Sequence, residues 1–135
     1  MGMLAAKMGD KIIGTDTHIV MVPSPGGPVP TPLPHPFAGT IDSNCSMNVK
    51  IEGKPAATLG SMASNTPPHI PTPPGTSFQI PPTNKGNIMK GSATVMINGK
   101  PAARMGDTAM TCNDPAPLPV GQVLVVGLCK VMIGG

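Results

Sequence analysis

The stretch "VMINGKPAARMGD" at residues 95–107 decides the fold, because parts of it recur elsewhere in the chain. "VKIEGKPAATLGS" at 49–61 matches it at eight positions with an offset of 46 residues. "AAKMGD" at 5–10 matches its second half, and "VMIGG" at 131–135 matches its first half. Internal repetition of this kind indicates a repeated structural unit. The sequence therefore predicts one unit written three times, with the third copy split across the two termini.

Each unit predicts a β-hairpin. An apolar triplet runs into Asn98-Gly99, and Asn-Gly takes the two positive φ angles of a type I′ turn. Glu52-Gly53 and a Gly-Gly pair hold the same place in the other copies, although Glu52 suits positive φ less well than Asn98 does. The Ala pair after each turn leaves room for close approach. We expect three hairpins to converge there about a pseudo-threefold axis, with the N- and C-terminal segments paired as adjacent strands.

Composition agrees with a compact, turn-rich domain. The chain has 135 residues, of which 39% are apolar and only 11% charged, with 19 Pro, 17 Gly and no Tyr or Trp. We expect a single all-β domain over 1–135, a small cone of three quasi-equivalent β-hairpin repeats with ordered Pro-rich loops. The repeat units lie near 1–10 plus 131–135, 49–61 and 95–107.

Charge and hydropathy argue against several functional classes. The net charge is +3, and the Lys and Arg residues are scattered along the chain. They form no basic cluster of the kind that binds nucleic acid. The longest apolar run, "VLVVGLC" at 123–129, is too short to span a bilayer. Lys7 and Asp10 interrupt the first ten residues, so we expect no signal peptide and assembly in the cytoplasm. An odd count of three cysteines then favours free or metal-bound thiols over disulfides.

Three Pro-rich segments lie between the hairpin units, at 22–39, 65–86 and 113–122. One interpretation is that they form flexible polyproline II ligands, which would make the chain a soluble adaptor that presents them to partner domains. The other is that they are ordered loops, in which Pro reduces the entropy lost on folding. We favour ordered loops because of the side chains that they carry.

The loops between the hairpin units, which include these segments, predict a metal site. His18 and His69 each follow the glycine that closes a hairpin unit by nine residues, so they are repeat-equivalent. Cys112 lies in the third loop, and His35 is an additional candidate from the first. If the loop tips meet on the axis, the four side chains suit a closed, tetrahedral, structural zinc. The predicted ligands are His18, His35, His69 and Cys112.

The remaining cysteines receive other interpretations. Cys129 lies in "VLVVGLCKVMI", which is typical of a buried strand with a core thiol. Cys45 aligns with Gly91 and is interpreted as a turn residue.

A Cys and His inventory also raises the hypothesis of a thiol hydrolase. The six carboxylates offer little support, since Asp10 and Asp107 are repeat-equivalent turn formers. No GxSxG, HExxH or P-loop pattern occurs. A zinc ion with four protein ligands would also keep no open position for a substrate. We therefore expect that the protein is not an enzyme.

The segments "GKPAARMGD" and "GKPAAT", together with the three histidines and Cys112, resemble the PAAR-repeat family. The Pro-rich segments look most like those of spike-tip proteins from contractile injection systems, either type VI secretion or phage-tail-like particles. The resemblance implies a monomer that caps a trimeric, VgrG-like or phage-spike-like β-helical protein, with zinc near its point. It also implies delivery with an injection particle and contact with a target envelope. Thr58 and Lys7 replace the family's Arg in two copies.

Overall fold

A computed structural model describes residues 2–127 and 129–134, and within them the chain is all-β, as the sequence predicts. These residues form short and long strands but no helix. The strands are β1 (Met3–Leu4), β2 (Lys11–Val22), β3 (Val29–Ser43), β4 (Lys50–Ile51), β5 (Lys54–Pro55), β6 (Met62–Asn65), β7 (Ser77–Phe78), β8 (Lys85–Ile88), β9 (Met96–Ile97), β10 (Lys100–Pro101), β11 (Thr108–Thr111), β12 (Leu118–Leu124) and β13 (Met132–Ile133).

The three predicted hairpins are present as three two-stranded antiparallel sheets. They pair β4 with β5, β9 with β10, and β1 with β13. In the third sheet Met3 lies opposite Ile133, so the two terminal segments do complete one unit. The first and last residues of this split copy, Met1 and Gly135, lie outside the described residues.

Both hairpin turns that carry a non-glycine residue have the type I′ conformation. Asn98 and Gly99 have φ angles of 55° and 78°, and Glu52 and Gly53 have 53° and 80°. Glu52 is thus held in the conformation that suits it less. Its carboxylate accepts a hydrogen bond from the backbone N–H of Lys130 at 3.1 Å, a contact with the neighbouring copy.

A ring of three backbone hydrogen bonds joins the copies at the Ala pairs. Ala6 donates to Ala103, Ala103 donates to Ala57, and Ala57 donates to Ala6, each at 3.0 Å. The side chains of the paired alanines at 5–6, 56–57 and 102–103 are all completely buried. The small alanine side chains allow the three segments of the chain to approach this closely. The ring confirms the predicted pseudo-threefold convergence.

The Ala ring separates two apolar clusters. The first alanine of each pair packs with one isoleucine per hairpin, which are Ile51, Ile97 and Ile133. The second alanine of each pair packs with the larger core on the other side, which includes Phe37 and Ile12. The molecule therefore has a hairpin side and a strand side along the same axis.

On the strand side, six antiparallel strands close into a ring. Each copy contributes two neighbouring strands, and the order is β2, β3, β6, β8, β11, β12 and back to β2. Gly39, Gly86 and Gly121 lie opposite Ile12, Ala63 and Ala109 in three equivalent strand pairs. A Cβ at any of these glycines would lie within 2.8–2.9 Å of a neighbouring atom. Glycine is needed there because the inner space of this narrow ring is already filled.

The first Pro-rich segment is mostly strand and not the loop that the sequence predicts. Every residue of β2 pairs with a residue of β3, from Lys11 opposite Thr40 to Val22 opposite Val29. Ile19 points both backbone groups away from β3, towards Asp114 and Gln79. Its partner Pro32 consequently has its nitrogen on the outer side, where no ladder hydrogen bond is lost. The alternation of Pro at 30, 32, 34 and 36 keeps every ring nitrogen on that side.

The region around Cys129 also differs from the prediction of a buried strand. Strand β12 ends at Leu124, and Gly127 has a φ of 76°, which ends the extended conformation. Cys129 lies between strands and is half-buried against both apolar clusters. Cys45 follows β3 outside any strand, as predicted, and packs against the larger cluster.

Candidate metal centre

Four buried side chains bring their donor atoms together beyond the six-stranded ring. Asp16 and His18 lie two residues apart on β2, so the pleat points them to the same face. Cys112 follows the end of β11, and His69 lies in the Pro-rich segment between β6 and β7. One donor atom from each of these residues lies within 4.8 Å of the others.

The contacts within the group are short. The Asp16 Oδ2 atom lies 2.9 Å from His69 Nε2, 3.3 Å from Cys112 Sγ and 3.8 Å from His18 Nε2. Cys112 Sγ lies 3.6 Å from His18 Nε2. Tetrahedral zinc with nitrogen, sulfur and oxygen ligands sets donor atoms about 3.3–3.6 Å apart. The four distances given above, from 2.9 to 3.8 Å, include that range.

His35 lies beside this group but directs its nitrogens elsewhere. Its ring centre is 5.3 Å from that of His18 and 5.6 Å from that of His69. Nδ1 contacts the Leu33 carbonyl at 2.9 Å, and Nε2 accepts the backbone N–H of Thr72 at 3.1 Å. With both nitrogens hydrogen-bonded to backbone, His35 is held as a neutral ring against its neighbours.

The structure thus brings His18, His69 and Cys112 together, as the sequence predicts, and adds Asp16. The complete predicted set, with His35 as its fourth member, stays a prediction. Sequence reasoning missed Asp16 because it considered only histidines and cysteines as ligands. The available signal was the two-residue spacing to His18 in "TDTHIV", since alternate residues of a strand share a face.

The group is strongly polarised. Burial alone would raise the pKa of Asp16, but hydrogen bonds from His18, His69, Thr111 and Cys112 together hold it well below its usual value. Burial would lower the pKa of His18, yet its contacts with Asp16 and Cys112 raise it to about 10. Burial likewise opposes the effect of His18 and His69 on Cys112, whose pKa is nevertheless lowered. These shifts favour the charged forms of Asp16 and His18 in the interior.

The donor set fits a divalent metal ion. His18 and Asp16 have no solvent exposure, and Cys112 is 7% exposed. Burying charged groups is costly unless they are paired or bind a metal. His18 Nδ1 is also buried without an aligned hydrogen-bond partner among the described residues. Two imidazole nitrogens, a thiolate and a carboxylate oxygen are ligands that zinc accepts, and binding would supply folding free energy.

The fold and site now define a class: a small all-β domain of three hairpin repeats around an axis with a buried cluster of metal-binding side chains. Comparison with protein families agrees, because the PAAR motif matches residues 20–115 and 79–135. The chain belongs to the PAAR-repeat family of contractile injection systems, whose members are structural and sit on VgrG-like spikes. A search of curated proteins gave no match for this chain. Within the described residues there is no helix that could span a membrane.

Proposed function

We propose that this protein is the membrane-puncturing tip that caps and sharpens the trimeric spike of a contractile injection machine. One observation carries the proposal: a single chain closes a threefold ring of backbone hydrogen bonds, with three hairpins on one side. A monomer with this symmetry matches the end of a threefold trimer. Neither the hairpin side nor the opposite end requires catalysis, and we propose that the protein is not an enzyme.

The hairpin side supplies the surface for the spike. Within the described residues each hairpin is a two-stranded sheet without a third strand, so strand edges are available for β-augmentation. Equivalent outward positions on the first hairpin strands carry Lys50, Met96 and Met132, which are all exposed. Met96 and Met132 are 56% and 57% exposed although both side chains are apolar. We propose that the trimer covers them.

The opposite end supplies stiffness. His18 is eight residues beyond Asp10 on an extended strand, about 26 Å along β2 from the turn beside the Ala ring. We propose that a structural zinc ion ties β2, the 65–76 segment and the end of β11 together there. His18, His69 and Cys112 are the shared ligands, and the fourth is His35, as the sequence predicts, or Asp16, which lies closer. A crosslinked end of this kind would resist deformation against a target envelope when the particle is fired.

Metal analysis of purified variants tests the zinc proposal. About one zinc per chain is expected in the parent and much less in His18→Ala, His69→Ala and Cys112→Ser. Asp16→Asn and His35→Gln identify the fourth ligand, because only the ligand's variant should lose zinc, and Asp42→Asn, at an exposed position, is the matched control. Zinc retained by all three shared-ligand variants would overturn the proposal.

Co-expression with a trimeric β-helical spike protein of an injection system tests the cap. Native mass spectrometry should show one chain per trimer. Met96→Asp and Met132→Asp should each prevent the complex, because a carboxylate would be desolvated in the contact. Ile70→Asp is the matched control, since Ile70 is 76% exposed and lies on the Pro-rich segment after His69. Loss of the complex in the Ile70 variant alone would place the contact at the end opposite the hairpins and would contradict the proposed cap.

Limited proteolysis addresses the alternative, a soluble adaptor with free polyproline ligands. Because 29–40 is paired with β2 along its length, we expect the 22–39 segment to resist a protease that cuts unfolded chains. Rapid cleavage within 22–39 and 65–86 of the native protein would favour the adaptor instead.

A further inference from the structure

We propose that Asp114 is a positioning residue for the metal centre: its carboxylate orients the buried His18 ring from the side opposite the metal. The inference rests on the proposed metal site and adds a residue outside the ligand set. The ring has no solvent exposure, and its Nε2 atom faces the Asp16 and Cys112 donors at 3.8 and 3.6 Å.

The other nitrogen of the same ring faces a second carboxylate. His18 Nδ1 lies 3.3 Å from Asp114 Oδ2, and the Asp114 side chain is only 7% exposed. The contact is close but lacks hydrogen-bond alignment, and Nδ1 has no other hydrogen-bond partner within the described chain. A small rotation of the ring would align the Nδ1–H bond with Oδ2. Binding of Nε2 to a metal ion would fix that rotation.

Asp114 is itself held in place by the strand that carries His18. Its Oδ2 atom accepts the backbone N–H of Ile19 at 3.0 Å, and its own N–H donates to the Thr17 carbonyl at 2.9 Å. Asn113 Oδ1 accepts the N–H of Thr17 at 2.8 Å. The backbone on both sides of His18 is therefore bonded to residues 113–114, which fixes the carboxylate relative to the imidazole.

This arrangement is the one that metal-binding histidines generally need. When one ring nitrogen binds a metal, the other donates its hydrogen to a carboxylate or carbonyl, which fixes the tautomer and the ring orientation. "CND" at 112–114 thus provides a ligand, a backbone clamp and an orienting carboxylate in three consecutive residues.

The test compares Asp114→Asn with Asp42→Asn, the same substitution at an exposed position. The amide of Asp114→Asn keeps an acceptor for Ile19 N–H but removes the negative charge opposite Nδ1. We expect zinc affinity, measured by competition with a chromophoric chelator, to fall about 10–100-fold, with one zinc still bound. The Co²⁺ absorption spectrum should keep its ligand-field bands, because the ligand set is unchanged. Asp42→Asn makes the same change at an exposed position and should leave affinity almost unchanged.

A second measurement uses only the parent protein, so it does not depend on whether a variant folds. In the zinc-bound parent, ¹⁵N spectra of the imidazoles should show His18 bound to the metal through Nε2, with a slowly exchanging hydrogen on Nδ1. Metal bound through Nδ1, parent-like affinity in Asp114→Asn, or an equal loss in Asp42→Asn would each overturn the role of Asp114. A parent chain that binds no zinc would overturn the metal centre itself, and the role of Asp114 with it.

Discussion

At the residue scale, the same turn is stabilised in three chemically different ways. In each copy the side-chain oxygen of the residue four positions after the second alanine accepts a hydrogen bond. The donor is the backbone N–H of the residue that directly follows the Ala pair. Asp10 accepts from Lys7 N at 3.0 Å and Asp107 from Arg104 N at 2.7 Å, whereas Ser61 accepts from Thr58 N at 2.9 Å. In two copies the carboxylate also pairs with the buried Lys7 or Arg104 side chain. The middle copy needs no cation because Ser carries no charge.

This difference predicts unequal costs for equivalent substitutions. Asp107→Ala leaves Arg104, which is 6% exposed, without its carboxylate, so the free energy of unfolding should fall by about 3–5 kcal/mol. Ser61→Ala removes neutral hydrogen bonds only and should cost about 1–3 kcal/mol. Urea denaturation of the two variants and the parent measures both costs. An Asp107→Ala cost no larger than that of Ser61→Ala would show that the ion pair adds nothing.

Cys45 gives a pH-dependent prediction. Burial raises the pKa of its thiol above the ordinary value of 9.0, and nearby Asp42 acts in the same direction. Since the thiolate is the reactive form, less of it is present at a given pH than in the unfolded chain. Alkylation by iodoacetamide, followed by peptide mass spectrometry, should be slower in the native protein at pH 8. Its rate should still rise with pH where the unfolded chain has levelled off. A native rate that levels off at the same pH would contradict the raised pKa.

At the scale of elements, β3 shows how a Pro-rich segment becomes a strand. Its odd-numbered residues turn their backbone groups towards β2, and its prolines turn their nitrogens outward with their rings exposed to solvent. The outer edge between 29 and 37 therefore lacks N–H donors at every second residue. Edge strands without such protection tend to pair with other chains.

Restoring two backbone N–H donors should allow this edge to pair with another copy of the chain. In Pro30→Thr/Pro32→Thr, β3 gains two outward N–H groups and keeps its pairing with β2. We expect concentration-dependent self-association in sedimentation velocity experiments, beyond that of the parent. Pro23→Thr, at an exposed position between β2 and β3, is the control and should behave like the parent. A double variant that sediments like the parent at every concentration would show that the prolines do not protect the edge.

At the scale of the whole molecule, one chain reproduces the threefold symmetry of a trimer. The split copy should therefore contribute as much to stability as each of the other two copies. Ile51, Ile97 and Ile133 are 5%, 8% and 5% exposed and meet in one cluster with the first alanines of the three pairs. Ile133 belongs to the copy that joins both chain ends.

Equivalent substitutions in this cluster should have similar effects. Ile51→Ala, Ile97→Ala and Ile133→Ala should each lower the free energy of unfolding by about 2–5 kcal/mol, because each opens a cavity on the axis. Ile70→Ala should change it little, since that side chain is largely exposed. The comparison uses urea denaturation under identical conditions. A much smaller loss of unfolding free energy for Ile133→Ala would mean that two copies form the stable core and that the terminal strands add little to it.

The sequence by itself determined the parts that depend on local chemistry. Asn98-Gly99 and the recurring Ala pairs identified the hairpins, their convergence and the pairing of the two ends. The repeat spacing identified His18 and His69 as equivalent, and Cys112 was predicted to join them from the third loop. Positive φ and close approach impose requirements that only a few residue types meet, so they can be recognised one residue at a time.

Only the tertiary structure decided how the segments between hairpins are arranged. The closed ring of six strands depends on pairings such as β12 with β2, which join residues more than 100 positions apart. Pro32 forms part of a strand because Ile19 bonds to Asp114 and Gln79 and not to β3. Asp16 lies within the metal-binding group because strand β2 places it on the same face as His18, and backbone partners bind both nitrogens of His35 beside it. Long-range pairing selects among conformations that are locally equivalent, and the local sequence does not record that selection.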